Sequence, residues 1–225
     1  MLSLNSVTLK YRKKTILTDV SFDAEPGRII GLLGLNGSGK STLLSALAGV
    51  KKPAAGTILL NGKTVEEDRK AWHATIGYVT QENALIDELT AMDNLRLWTD
   101  RDKASIFDTL QNTSLSMLGV HTWLELPVRS MSGGMKKRLS IATVLIDLPR
   151  ILLLDEPFAA LDLIAKQDIT NFLKSFREGG GITIIASHDE NTFSLCDDIY
   201  LLKDGTLRSL PPLTGGETAA DLLRS

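Results

Sequence analysis

Residues 34–42 read G-L-N-G-S-G-K-S-T. The spacing G-x-x-x-x-G-K-[ST] suits one task, holding phosphate. Phosphate oxygens need many donors at close range. Gly34, Gly37 and Gly39 let the backbone N–H groups of this loop, which also holds Leu35, Asn36 and Ser38, converge without side chains in the way. Lys40 has the reach for β- and γ-phosphates, and Ser41, next to Thr42, can ligate Mg²⁺. An ordinary glycine-rich turn before a helix would not need Lys and Ser in that register.

A phosphate loop of this kind needs a carboxylate on a neighbouring strand. Residues 151–156, I-L-L-L-D-E, supply two. Four apolar residues bury the strand and carry both acids to its carboxyl end, where open α/β sheets bind ligands. Asp155 then holds Mg²⁺, usually through water. Glu156 is placed to polarise an attacking water as general base. Together the motifs specify a nucleoside triphosphatase, but not which kind. No guanine-reading N-K-x-D pattern is apparent. An acid directly after the Mg²⁺ aspartate favours hydrolysis over transfer to a metabolite.

These residues need elements to position them. The run R-I-I-G-L-L before the loop reads as a buried strand, and S-T-L-L-S-A-L-A-G after it as a helix stopped at Gly49. Upstream, Leu2, Leu4, Val7 and Leu9 alternate with polar residues, as do Ile16, Leu17, Val20 and Phe22, so an antiparallel arm is expected. Strands are expected at 76–80 and 151–156, in T-I-L-L-N-G at 57–62 with the turn that follows, in I-T-I-I-A-S, and in I-Y-L-L-K-D-G-T-L with its hairpin turn. Residues 84–146 carry apolar spacings of three and four and read as helical; 162–177 is a further helix broken by Gly179-Gly180-Gly181. Strands alternating with helices predict an α/β fold with a mostly parallel sheet. The block 84–146 reads as an inserted helical subdomain, with 1–83 and 147–225 forming the core and arm.

Bulk properties narrow the partners. The chain has 225 residues, 43% of them hydrophobic, with a formal net charge of -2. That balance gives no argument for nucleic-acid binding. The run Lys136-Lys137-Arg138 is read as a solvated helix face. One cysteine, Cys196, excludes an internal disulfide and is assigned to packing. The start lacks the charged and apolar regions of a signal peptide. No apolar run approaches the roughly 20 residues that span a bilayer. A soluble, cytoplasmic chain is expected, with any membrane role arising through a partner. Trp72, Trp98 and Trp123 are expected to cover helix surfaces or partner contacts; His73 and His121 have no setting that suggests chemistry.

With these pieces placed, M-S-G-G-M at 131–135 resembles the signature of ABC-type ATPases, usually L-S-G-G-Q. Further motifs follow in that family's order. Tyr11 sits where an aromatic stacks on adenine. Gln81 follows the strand I-G-Y-V-T, as in the Q-loop. Ala160-Leu161-Asp162 matches the D-loop, and His188 in A-S-H-D the switch histidine. The resemblance covers roughly residues 3–208. It implies a P-loop NTPase (RecA-like) core with an N-terminal antiparallel β-subdomain and an inserted α-helical subdomain.

It also implies roles. Gln81 would reach Mg²⁺ or its water, and His188 the γ-phosphate or the attacking water. Two chains would pair head to tail around two ATP, with Ser132, Gly133 and Gly134 of one closing over the γ-phosphate held by the other. The partners implied are that second ATPase subunit and an integral membrane permease. The chain would sit on the cytoplasmic face of the membrane. Three positions depart from the commonest pattern: Met135 for Gln, Thr80 for Pro, and Ala159 for Ser. S-G-G-M-K-K-R-L resembles the branch serving exporters of drugs, antibiotics, lipids or polysaccharides. Importer ATPases and soluble ABC ATPases acting on DNA or ribosomes remain the alternatives; neither a long insertion nor a second ATPase unit is present in this sequence.

Overall fold

Alternating apolar residues build the first sheet. The computed structural model describes residues 1–210; the tail 211–225, read from sequence as a linker with a short helix, lies outside the described residues. Strands β1 (Leu2–Tyr11) and β2 (Lys14–Ala24) pair antiparallel, with Leu4 opposite Phe22, Val7 opposite Val20 and Leu9 opposite Leu17. All six of these side chains are buried. Irregular register between Leu4 and Val7, with Ser6 at φ 48°, bends the strand. Strand β4 (Ala55–Leu60) joins β1 from the other side, so the arm has three strands in the order β2-β1-β4.

The second sheet positions the chemistry. Its order is β5-β6-β7-β3-β8-β9, from β3 (Ile29–Leu33), β5 (Ile76–Val79), β6 (Ile151–Asp155), β7 (Ile182–Ser187), β8 (Asp198–Lys203) and β9 (Thr206–Leu210). Five strands run parallel, and β9 returns antiparallel through the turn Asp204-Gly205. Strands β3, β6 and β7 are buried throughout, which explains their continuous apolar runs. Register fixes the functional edge. Leu33 lies opposite Ser187, and Asp155 opposite Ala186, so Gly34, Asp155 and His188 all emerge at one end of three adjacent strands.

Helix α1 (Lys40–Leu47) follows β3, and α2 (Arg69–Thr75) precedes β5. Too short to carry an apolar period, α2 leaves no helical signal in the sequence. It buries Trp72, whose indole N–H donates to the Leu47 carbonyl at 3.0 Å. Trp72 is thus a core residue rather than the surface cover expected, whereas Trp98 is exposed.

The expected helical block is less regular than its spacing suggests. It holds helices α3 (Ala91–Arg96), α4 (Lys103–Asn112) and α5 (Gly133–Leu145), with 3₁₀ turns at 114–118, 120–122 and 128–130 between α4 and α5. Gly119 at φ 67° and Pro127 break the continuity. Side-chain caps from Thr90, Asp102, Thr113 and Ser132 satisfy the freed amides. The core of this block is continuous with the sheet face covered by α6 (Leu163–Glu178), through Leu152, Leu154, Ile185 and Phe172.

Candidate functional site

The phosphate loop folds around its own lysine. Lys40 Nζ donates to the carbonyls of Gly34 at 2.7 Å and Leu35 at 3.3 Å, and lies 3.8 Å from Glu156 Oε1. Gly37 and Gly39 take φ 80° and 108°, backbone that an L side chain rarely adopts. A Cβ on Gly34 would meet Ser38 Oγ at 2.5 Å. Space excludes a side chain at Gly34, and backbone conformation rather than space calls for glycine at 37. Burial pulls the Lys40 pKa down, while Glu156 and Asp155 hold it up.

The loop forms one wall of a cleft of about 370 Å³. Asn36, Gly37, Gly39, Lys40, Ser41 and Thr42 line it on that side. Tyr11, exposed, also lines it, with Lys51 Nζ 5.1 Å from its ring centre. Gln81, Asp155 and Glu156 complete the lining. Leu35 and Ser38 face a neighbouring groove between β2 and the β8–β9 turn. Ile16, assigned to the arm from sequence, lines the cleft between Tyr11 and the loop. Its place on the alternating stripe gave no sign of that.

The two acids differ in their surroundings. Asp155 accepts from the Ser41 hydroxyl, and burial pushes its pKa up against the pull of Lys40 and Lys137. Glu156, 6% exposed, takes φ 48°. Left-handed backbone outside glycine costs about 1–3 kcal/mol and is stored where a side chain must be aimed. Its Oε2 accepts from Ser187 Oγ at 3.1 Å, and its Oε1 lies 2.7 Å from His188 Nδ1. His188 is absent from the phosphate cleft. It lines a second opening with Ala159, Ala160 and Lys166, and Glu156 is the residue common to both.

Divalent metal fits this donor set. Among the described residues no group of three His, Cys, Asp or Glu could hold a cation alone. Asp155 and the Ser41 hydroxyl side by side leave the remaining positions to phosphate and water, as Mg²⁺ prefers.

The signature does not join the cleft of its own chain. Ser132 caps α5, its Oγ accepting from Met135 N at 3.2 Å. Gly133 is exposed, and a Cβ there would meet nothing within 4 Å. Gly134 packs on α6, where a Cβ would lie 3.2 Å from Asp162 Oδ2. Asp162 itself caps α6 by accepting from Ala165 N at 2.8 Å. Thus Tyr11, the loop, Gln81, Asp155 and Glu156 come together, His188 touches them through Glu156, and Ser132, Gly133 and Asp162 form a separate exposed group around the buried Gly134.

The basic run after the signature is not a solvated face. Lys136 pairs with Asp87 at 2.7 Å, and Arg138 with Asp168 on α6 at 2.6 Å. Lys137 is 4% exposed, and its Nζ donates to the carbonyls of Gln81 at 3.1 Å and Thr80 at 3.4 Å. A periodic signal was available. Gly134, Lys137, Ile141 and Leu145 fall on one buried stripe of α5.

Comparison with known proteins agrees with this geometry. The profile described as ABC transporter matches residues 17–159. The chain belongs to the ABC transporter family. A Listeria monocytogenes protein named as an ABC transporter ATP-binding protein is 36% identical, across 97% of this chain and 83% of its own length. A spermidine/putrescine import ATP-binding protein of Spiroplasma citri is 32% identical and a Nod factor export ATP-binding protein of Neorhizobium galegae 33%; this chain spans 61% and 62% of their lengths.

Among solved ABC structures, a dimeric bacterial cassette superposes with TM-score 0.82 at 27% identity, covering 96% of this chain and all of the other. The same cassette bound to ADP and Pi, in a post-hydrolysis state, gives 0.80. The protein cbiO1 of Clostridium perfringens, described as part of the ABC transporter complex cbiONQ, gives 0.80 at 30% identity over 92% of this chain and 86% of its own. The chain is therefore the ATP-binding, ATP-hydrolysing part of an ABC transporter, with the P-loop fold and antiparallel arm expected. Proteins named for import and for export are both similar to it. Among the described residues no helix is long and apolar enough to cross a membrane.

Proposed function

We propose that the cleft binds ATP with Mg²⁺ and is completed by a second chain. Tyr11 stacks on adenine, the amides of residues 34–42 and Lys40 hold the phosphates, and Ser41, Asp155 and Gln81 hold the metal directly or through water. Mg²⁺ held by these residues would supply positive charge to offset that of the phosphates. Glu156 accepts a proton from the attacking water, and His188 orients Glu156 and the γ-phosphate end of the site. The observation that carries the reading is the split: Lys40 and Glu156 share one cleft, while Ser132 and Gly133 stand capped, exposed and outside it. An exposed helix N-terminus is suited to phosphate from another chain. Asp162, beside Gly134, belongs to the same contact face.

Dimer formation around two ATP then drives a separate membrane permease, with the block 84–146 acting as an inserted subdomain and the chain peripheral to the cytoplasmic face. S-G-G-M-K at 132–136 favours an exporter of a drug, antibiotic, lipid or polysaccharide. Co-purification with the native permease, followed by the direction of transport in inside-out vesicles, tests that part.

Complementation tests the composite site. Lys40→Ala disables a cleft and leaves its signature; Ser132→Arg does the reverse. Neither variant should hydrolyse ATP alone. A mixture should recover activity, because a heterodimer has one intact cleft facing one intact signature. A mixture as inactive as its components overturns the reading.

A further inference from the structure

Lys137 is a buried cation that nucleotide binding does not explain. It sits in the second turn of α5 at 4% exposure. Burying an ammonium is costly, and an apolar residue of similar volume would pack there at less cost. Two carbonyls, those of Thr80 and Gln81, accept its protons. Both belong to the segment that follows β5, where the strand ladder has ended, and Gln81 lines the cleft. The negative charge of Asp155 favours the protonated lysine against the cost of its burial.

The lysine therefore joins two pieces of chain that serve different sites. Gln81 lines the cleft of its own chain. The helix bearing Lys137 begins at Ser132, five residues away, or about 7.5 Å along a rigid helix. A displacement of the Gln81 backbone acts on that helix through these two bonds, and the reverse holds equally. Arg138, one residue on, fixes the same turn to Asp168 of α6, so the turn is gripped from both sides.

We propose that Lys137 is a positioning residue that ties the Gln81 backbone to the helix carrying Ser132–Gly134, so that a chain's own ATP cleft and the signature it offers its partner shift together. The inference rests on the composite site described above.

The complementing pair provides the test. Lys137→Met keeps length and packing and removes the donors. Placed in the Ser132→Arg chain, it affects the working cleft; placed in the Lys40→Ala chain, it affects the working signature. The tether predicts that either placement lowers hydrolysis by about tenfold, the scale of a hydrogen bond to a charged group. Loss confined to one placement overturns it, because the lysine would then serve only that site. Calorimetry on the otherwise wild-type chain adds a binding readout. ATP affinity in EDTA should be unchanged by Lys137→Met, and the gain in affinity on adding Mg²⁺ should shrink several-fold. Equal loss with and without Mg²⁺ would indicate a collapsed cleft and overturn the proposal. Lys137→Gln, which keeps an N–H donor, should recover part of both losses, and covers the case in which the Met variant fails to fold. Failure of the parent pair to complement is distinct from these results: it removes the composite site, and the proposal with it.

Discussion

Glu156 Oε1 lies 2.7 Å from His188 Nδ1, at the junction of two openings. The same oxygen is 3.8 Å from Lys40 Nζ. One carboxylate thus meets the loop that holds phosphate and the histidine beyond it. The second oxygen is held by Ser187, so the group cannot rotate freely between them. Strained backbone at φ 48° aims it. This arrangement suits a base fixed in place before substrate arrives.

Glu156→Gln preserves shape but turns one carboxylate oxygen into an N–H₂ donor and removes the basic group. Hydrolysis should fall by about 10²–10⁴-fold, the usual contribution of a positioned base. ATP binding should survive, and ATP-bound dimers should accumulate. Phosphate release and light scattering in the presence of ATP check both effects. Wild-type turnover in this variant would rule out Glu156 as the base.

Lys40→Ala should act on binding instead. It removes a donor that the loop carbonyls organise and a cation beside two buried acids. Bonds involving charged groups contribute about 1.5–3 kcal/mol, so ATP affinity should fall roughly ten- to a hundredfold. Calorimetric titration checks this. An unchanged affinity would count against the loop as the phosphate cradle.

The strands that position the candidate site were more legible in sequence than the helices around it, for physical reasons. The loop at 34–42 and the strand at 151–156 are set by glycine spacing and an apolar run, which local sequence dictates. Parallel strands buried on both faces also announce themselves as apolar runs. Lys137 was misread because its charge outweighed its place on the stripe of Gly134, Ile141 and Leu145. Ile16 was missed because alternation assigns a face but not what that face meets. The 3₁₀ turns between α4 and α5 depend on tertiary packing of short apolar segments, and no local period encodes them.

Ser132→Arg should separate binding from turnover. Ser132 lies outside the cleft of its own chain, so ATP affinity of the isolated chain should stay near wild type. Losing the cap should destabilise α5 by about 1 kcal/mol, seen as a small drop in melting temperature. Hydrolysis should be abolished, because a bulky cation would stand where the partner's phosphate must approach. Parallel loss of ATP affinity would mean that the signature acts on its own chain.

Two glycines should respond to alanine in opposite ways. At Gly39, φ is 108° and a Cβ would lie 2.9 Å from Ile16 Cγ2 and from Leu17 Cδ2. Gly39→Ala should therefore cost about 1–3 kcal/mol of stability, and with it the loop geometry that binds ATP. At Gly133 the backbone is helical and a Cβ meets nothing within 4 Å. Alanine in a helix gains up to about 1 kcal/mol over glycine, so Gly133→Ala should leave the chain equally or more stable. It should bind ATP as the wild type does, since the residue is remote from its own cleft. Yet hydrolysis should fall, because the space above Gly133, empty in one chain, is where the partner's γ-phosphate must come. Thermal unfolding and phosphate release on both variants check the contrast. If Gly133→Ala hydrolysed ATP at the wild-type rate, close phosphate approach to that glycine would be excluded.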